Sequence, residues 1–265
     1  MPKKNLIGFG LVAGILFLFG SFELGDGQSS NLSVINQKLF EAVEKDDPQQ
    51  VKQLLTKGAH VNSRNEFGDT PLHVCQSRPI AELLIAAGAN INAKNQEFGM
   101  TPLFNAPLEL AELLIAKGAD INIKAKEGLT PLAWSAYGES LKRMEFLIAK
   151  GADVNAGAGT SKTPLHIAAN WGKVEMAALL ISKGADVNGR DDSGWTPLHW
   201  ASFEGGPEVA ELLISQRAEK NAKTTSSWSI FPAGSTALDI AEKAKFPEMA
   251  GFLKAKGVRK GKDLK

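Results

Sequence analysis

Apolar positions fall in two short stripes that recur at a fixed interval along the chain. In residues 163–188, TPLHIAANWGKVEMAALLISKGADVN, a first stripe (Leu165, Ala168, Ala169) is followed after Gly172 by a denser one (Ala177, Ala178, Leu179, Leu180, Ile181). The spacing predicts a short helix with one buried face, then a second over about 174–183 with most of its girth buried. Thr163 suits a helix N-cap, and Pro164 suits the first helical position, where a missing N–H costs nothing. Gly184 is the left-handed stop, with Lys183 beside the negative helix end. A polar turn segment, closed by Asp191-Asp192-Ser193-Gly194, leads to the next threonine.

The same phrases return throughout. Thr-Pro-Leu stands at Thr70, Thr101, Thr130, Thr163 and Thr196, with Thr-Ala-Leu at Thr236, and Gly-Ala-x-Val/Ile-Asn starts at Gly58, Gly88, Gly118, Gly151 and Gly184. From Gly151 to Thr163 is 12 residues and from Thr163 to Gly184 is 21, a period of 33. Such units hide their apolar sides only by stacking on one another. The pattern resembles the ankyrin repeat family, whose unit runs turn, T-P-L-H-x-A-A, second helix, G-A-D-V-N. The resemblance covers residues 36–258 and implies an all-α repeat solenoid of paired antiparallel helices with turn or hairpin segments. About seven units are expected, near 36–66, 67–97, 98–126, 127–159, 160–192, 193–232 and 233–258. In the first, Gln37-Lys38-Leu39-Phe40 replaces Thr-Pro-Leu-His, which suits a solvent-facing cap.

Three of the four histidines, His73, His166 and His199, follow Thr-Pro-Leu. A catalytic or metal-binding trio is one reading. The equivalent position holds Phe40, Phe104, Ala133 and Asp239 in other units, which a general base or ligand does not tolerate. The family resemblance implies a structural role, with each imidazole bonded to its own turn and to neighbouring backbone.

Irregularities carry more information than the repeat. Thr70 to Gly88 is 18 residues and Thr101 to Gly118 is 17, against 21 elsewhere, so the second and third units lose residues near Pro79 and Pro107. The first helix of the third unit, TPLFNAP, is expected to be barely one turn. First helices line the concave face of an ankyrin stack, so either a recess opens there or neighbours close the gap. An insertion at 222–235, within KTTSSWSIFPAGS, sets Trp228, Ile230 and Phe231 among serines. Insertions in repeat arrays map to one face and often bind; the alternative is that Trp228 folds back onto the last repeat.

A stack of this kind implies a non-enzymatic protein-binding module with a protein partner. Carrying the family's contact positions onto this chain gives turn-tip candidates Phe67, Phe98, Met100, Asp192 and Trp195, and helix-end candidates Tyr137, Asn170, Trp171 and Phe203. The aromatic members concentrate in units four to six, and since Trp and Tyr dominate interface hot spots the partner is expected to be gripped there, on a surface continuing toward Trp228 and Phe231. Trp134 and Trp200, following the histidine position, are expected in the core. Two further readings stay open: a structural or protective envelope component, and an enzyme with its chemistry in the 222–235 loop.

Composition adds little except at the ends. A net charge of +1 gives no bulk pull toward nucleic acid. Cys75 is the only cysteine, which excludes intrachain disulfides and Cys-pair zinc sites. No phosphate loop, zinc-protease or calcium-loop sequence occurs, and no cofactor or metal is expected. Residues 6–22 are 17 uncharged, mostly apolar residues behind Lys3 and Lys4. They read as a signal peptide or an uncleaved anchor helix, the length favouring the anchor. That places a monomeric repeat domain outside the cytoplasm, membrane-anchored through residues 6–22 if uncleaved or secreted if cut. Residues 1–23 form this segment, 24–35 a linker and 259–265 a solvated basic tail.

Overall fold

Thr-Pro at the start of each unit and Gly at its end set the architecture. A computed structural model describes residues 29–138, 140–157 and 162–264. The anchor or signal expected over 6–22 lies outside the described residues, and among the described residues no helix is long and apolar enough to cross a membrane. Each unit contributes two antiparallel helices. They are α1 (Ser29–Glu44) and α2 (Pro48–Thr56), α3 (Pro71–Val74) and α4 (Arg78–Ala86), and a single 3-10 turn (Pro102–Phe104) with α5 (Leu108–Ala116). Then follow α6 (Pro131–Tyr137) and α7 (Leu141–Ala149), α8 (Pro164–Asn170) and α9 (Val174–Ser182), α10 (Pro197–Glu204) and α11 (Pro207–Ser215), and α12 (Ala237–Lys243) and α13 (Pro247–Ala255). First helices pack on first helices and second on second along the stack. The described residues form no strands; the turn segments are tight loops instead of the hairpins that were one expectation.

Every unit is clipped to the next by one asparagine. The Oδ1 atoms of Asn62, Asn92, Asn122, Asn155, Asn188 and Asn221 accept the backbone N–H of Asn90, Asp120, Asp153, Asp186, Glu219 and Arg259 in the following unit, all at 2.7–2.9 Å. Asn36 begins the series by accepting from the His60 N–H at 2.8 Å. This is why Asn closes each Gly-Ala-x-Val/Ile-Asn phrase: a turn backbone left without a helical partner is satisfied across the interface.

Both chain ends depart from expectation. Helix α1 begins at Ser29, inside the segment expected as linker, so it is longer than any other first helix. The C-terminal tail is docked, not solvated. Asp239 stands where other units have His, and its Oδ2 accepts from the Gly261 N–H at 2.7 Å. The Thr236 hydroxyl donates to the Arg259 carbonyl, Lys223 donates to the Leu264 carbonyl, and Lys260 pairs with Glu242. A side chain at Gly261 is impossible, because its Cβ would lie 2.0 Å from the Gly234 carbonyl.

The third unit has its expected one-turn first helix, and the apolar core divides there. One cluster spans the first three units and another the last four, with Ile121 and Phe146 touching both. Arg143 from α7 reaches across this joint, where its guanidinium donates to the carbonyls of Leu103 and Ala106. These are orphan acceptors of the truncated 3-10 turn, and burial of the guanidinium lowers its pKa. The gap left by the deleted residues is therefore filled on its core side by an arginine.

Candidate partner-binding surface

The three histidines lie in successive layers and share one geometry. Backbone N–H groups of Thr70, Thr163 and Thr196 donate to Nδ1 of His73, His166 and His199, each at 3.0 Å. An amide can only donate, so Nδ1 is the acceptor and Nε2 carries the proton. Nε2 then donates to the next layer: to Met100 at 3.1 Å, to Gly189 at 3.0 Å, and to Ala222 at 3.0 Å. Burial lowers the pKa of all three, and that of His199 to about 4. Both ring nitrogens are committed to backbone, which leaves none for chemistry. Among the described residues no group of His, Cys, Asp and Glu is placed to hold a metal. Burial also raises the Cys75 thiol to about 11, and its Sγ donates to the Ser77 carbonyl.

The candidate contact residues separate into two groups. Trp195 is 0% exposed, Phe231 2% and Met100 4%, so none of the three offers a face to a partner. For Trp195 the cause is the insertion. Its loop turns back at a Trp228–Phe231 bridge and lays both rings over the concave side of the sixth unit. Trp195 sits 4.7 Å from Trp200, 5.1 Å from Trp228 and 5.5 Å from Phe231, centroid to centroid. Phe203 joins at 5.5 Å from Trp228, and the Trp200 indole N–H donates to Asp191 at 3.0 Å. Lys162 lies 3.7 Å above the Trp200 ring. Trp228 thus packs on the sixth unit, not on the last repeat, and of the loop's large apolar side chains Ile230 is the one that projects, 57% exposed. Met100 is buried instead against Phe104 and Ala125, in a small cluster that Phe98, Leu129 and Trp134 flank.

Other candidates do face outward. Phe67 is 49% exposed, Asp192 is exposed, and Phe98, Tyr137, Asn170 and Trp171 are half-buried. Trp134 joins them. Expected in the core with Trp200, it is half-buried and donates its indole N–H to Asn105 at 3.0 Å. The shortened third unit leaves no first-helix turn to cover it. Trp134, Tyr137 and Trp171 form a row, with centroids 6.5 Å and then 6.4 Å apart.

Beside this row runs a groove of about 1340 Å³ over the first four units. Its walls are α1 and the turn segments carrying Phe67 and Phe98, and it ends at Trp134. This is the recess that the short second and third units allow. Arg143 closes the core behind it, and nothing in the described residues covers its mouth.

An open stack of two-helix layers joined by asparagine side-chain clips is a repeat solenoid, a class built to present a long surface. Residues 39–125, 76–158, 104–191 and 145–224 match the family described as Ankyrin repeats (3 copies). The chain belongs to the ankyrin repeat family, whose members are interaction modules for proteins. No curated protein matches it.

Proposed function

We propose that the protein holds a partner protein in the groove over its first four units, with Phe67, Phe98 and Trp134 as anchors and the Tyr137–Trp171 row continuing the surface. The observation that carries this reading is the asymmetry of the concave side. The loop at 222–235 fills it at the sixth unit, while a cleft of about 1340 Å³ stays open at the first four. Aromatic side chains that are partly exposed in a concave setting are the usual centres of binding energy. The test is affinity capture with the full chain and with Phe67→Ala/Phe98→Ala. A specific protein retained by the parent and lost from the variant supports the reading. Equal retention by both would sink it.

The uncharged stretch 6–22 behind Lys3 and Lys4 supports a further part of the proposal, that the array is tethered at a membrane and displayed outside the cytoplasm. Protease shaving of intact cells, with and without residues 1–28, checks it. Protection of the repeats from protease in intact cells would refute outward display.

A further inference from the structure

The groove reading names a place, and the chemistry of its walls specifies what enters; the inference below rests on that reading. Carboxylates stand along the groove at Glu41 and Glu44 on α1 and at Glu66, Asp69 and Glu97 on the turn segments. All are exposed except Asp69, which is half-buried. Ion pairs among the described residues involve other carboxylates: Glu82, Glu112, Glu211, Glu219 and Glu242. The arginine in the groove, Arg64, is spent on backbone, its guanidinium donating to the carbonyls of Gly68 and Lys94. Lys126, at the edge of the same turn, is likewise spent on the Gln96 and Glu97 carbonyls, and Asp69 accepts from the Asn95 amide, so Glu41, Glu44, Glu66 and Glu97 are the carboxylates left to face a ligand.

The apolar part of the groove is aromatic. Phe67 and Phe98 stand beside Glu66 and Glu97 in sequence, so each turn segment presents a ring and a carboxylate together. A ring face and a nearby carboxylate both attract a cation, arginine above all. A further polar group waits in the wall. Thr101 is 2% exposed and its hydroxyl has no partner, because Phe104 stands where the Thr70, Thr163 and Thr196 units have a histidine ring nitrogen.

We propose that the groove takes a basic, extended segment of its partner, with arginine or lysine side chains set over Phe67 and Phe98 and between the flanking carboxylates. Acidic segments meet like charge on both walls and are excluded.

The test pans the immobilised full chain against a random dodecapeptide library, then measures fluorescein-labelled copies of the enriched peptides by anisotropy. Enrichment in Arg and Lys is expected, with affinity falling as salt is raised. Glu66→Lys/Glu97→Lys should weaken these peptides by roughly tenfold or more, while Glu248→Lys, exposed on α13 at the far end, leaves them unchanged. Both glutamates are exposed, and circular dichroism verifies that the variant is folded. Enriched peptides that are neutral or acidic, lost on Phe98→Ala yet indifferent to charge reversal, would overturn the basic partner and leave the groove standing. Failure to enrich any peptide sensitive to Phe67→Ala, Phe98→Ala or charge reversal would overturn both.

Discussion

Lowering the pH from 7 to 5 should destabilise the C-terminal half of the array, and His199 sets the size of the effect. The imidazole is 1% exposed, with Nδ1 facing the Thr196 N–H and Nε2 donating to Ala222. A second proton would place an N–H against an N–H in a buried site. Burial, above all, lowers its pKa from 6.5 to about 4, and the charges of Arg190 and His166 push the same way. The folded value lies below the unfolded one, so the unfolded chain binds the extra proton first. Stability is complete above about pH 6.5 and is lost progressively as pH falls toward 4. At pH 5 the unfolded ring is almost fully charged and the folded ring is not, a difference of about 2 kcal/mol relative to pH 7. His166 and His73 are also lowered by burial and add to the loss with the same sign. The exposed Glu112 and the half-buried Glu242 are held below 4.5 by their lysine partners, so their contribution fades only at more acid pH.

Tryptophan fluorescence reports on this event directly, since Trp195 lies 6.0 Å from the His199 ring. Urea midpoints of the full chain at pH 7, 6 and 5 should fall with each step. His199→Phe, which copies the residue at the third unit, should start lower at pH 7 and lose less on acidification. A parent midpoint that is flat or rises toward pH 5 would refute the buried neutral imidazole. A His199→Phe variant with the parent's full pH slope would refute its assignment to this residue.

Three more outcomes follow from packing. Arg143→Met should cost about 1–3 kcal/mol for each carbonyl it leaves unpaired, Leu103 and Ala106, and Arg143→Lys should fail to restore it; urea titration of each variant decides. Trp195→Ala should lower stability by about 3–5 kcal/mol in the same assay yet leave partner capture intact below the unfolding transition, because the ring faces only the core and the inserted loop. Asn155→Ala should cost about 1–3 kcal/mol by orphaning the Asp186 N–H, and hydrogen exchange should quicken at the Asp186 amide before the helices on either side.

The repeat, its register and the one-turn helix of the third unit were legible because local chemistry repeats: Thr and Pro start a helix, Gly ends one, and the spacing exposes a deletion. Exposure was not legible. Trp195 and Phe67 both hold turn positions, but Trp195 is covered by a loop that begins some thirty residues later in the chain. No local pattern reports where an insertion lands. Trp134 fails for the opposite reason. Its position is core by analogy with Trp200, and the missing turn of a neighbouring unit uncovers it. Arg143 gave no signal either, since an arginine on a second helix reads as solvent-facing until the shortened unit beside it is seen to lack partners for two carbonyls.

The two irregularities act on the same face with opposite sign. Deletions in the second and third units remove first-helix turns and open the concave side, at the cost of orphaned carbonyls that Arg143 satisfies from behind. The insertion before the last unit adds Trp228 and Phe231 to that side and closes it over Trp195. Counting aromatic residues favours the C-terminal half for binding, because that is where they are densest. At the sixth unit their density is what closes the surface: rings at 4.7–5.5 Å satisfy one another and leave little apolar area for a partner to cover. At the other end Phe67 is 49% exposed and Phe98 is only half-buried against the Met100–Phe104 cluster, and that uncovered ring area is what the proposed partner would bury.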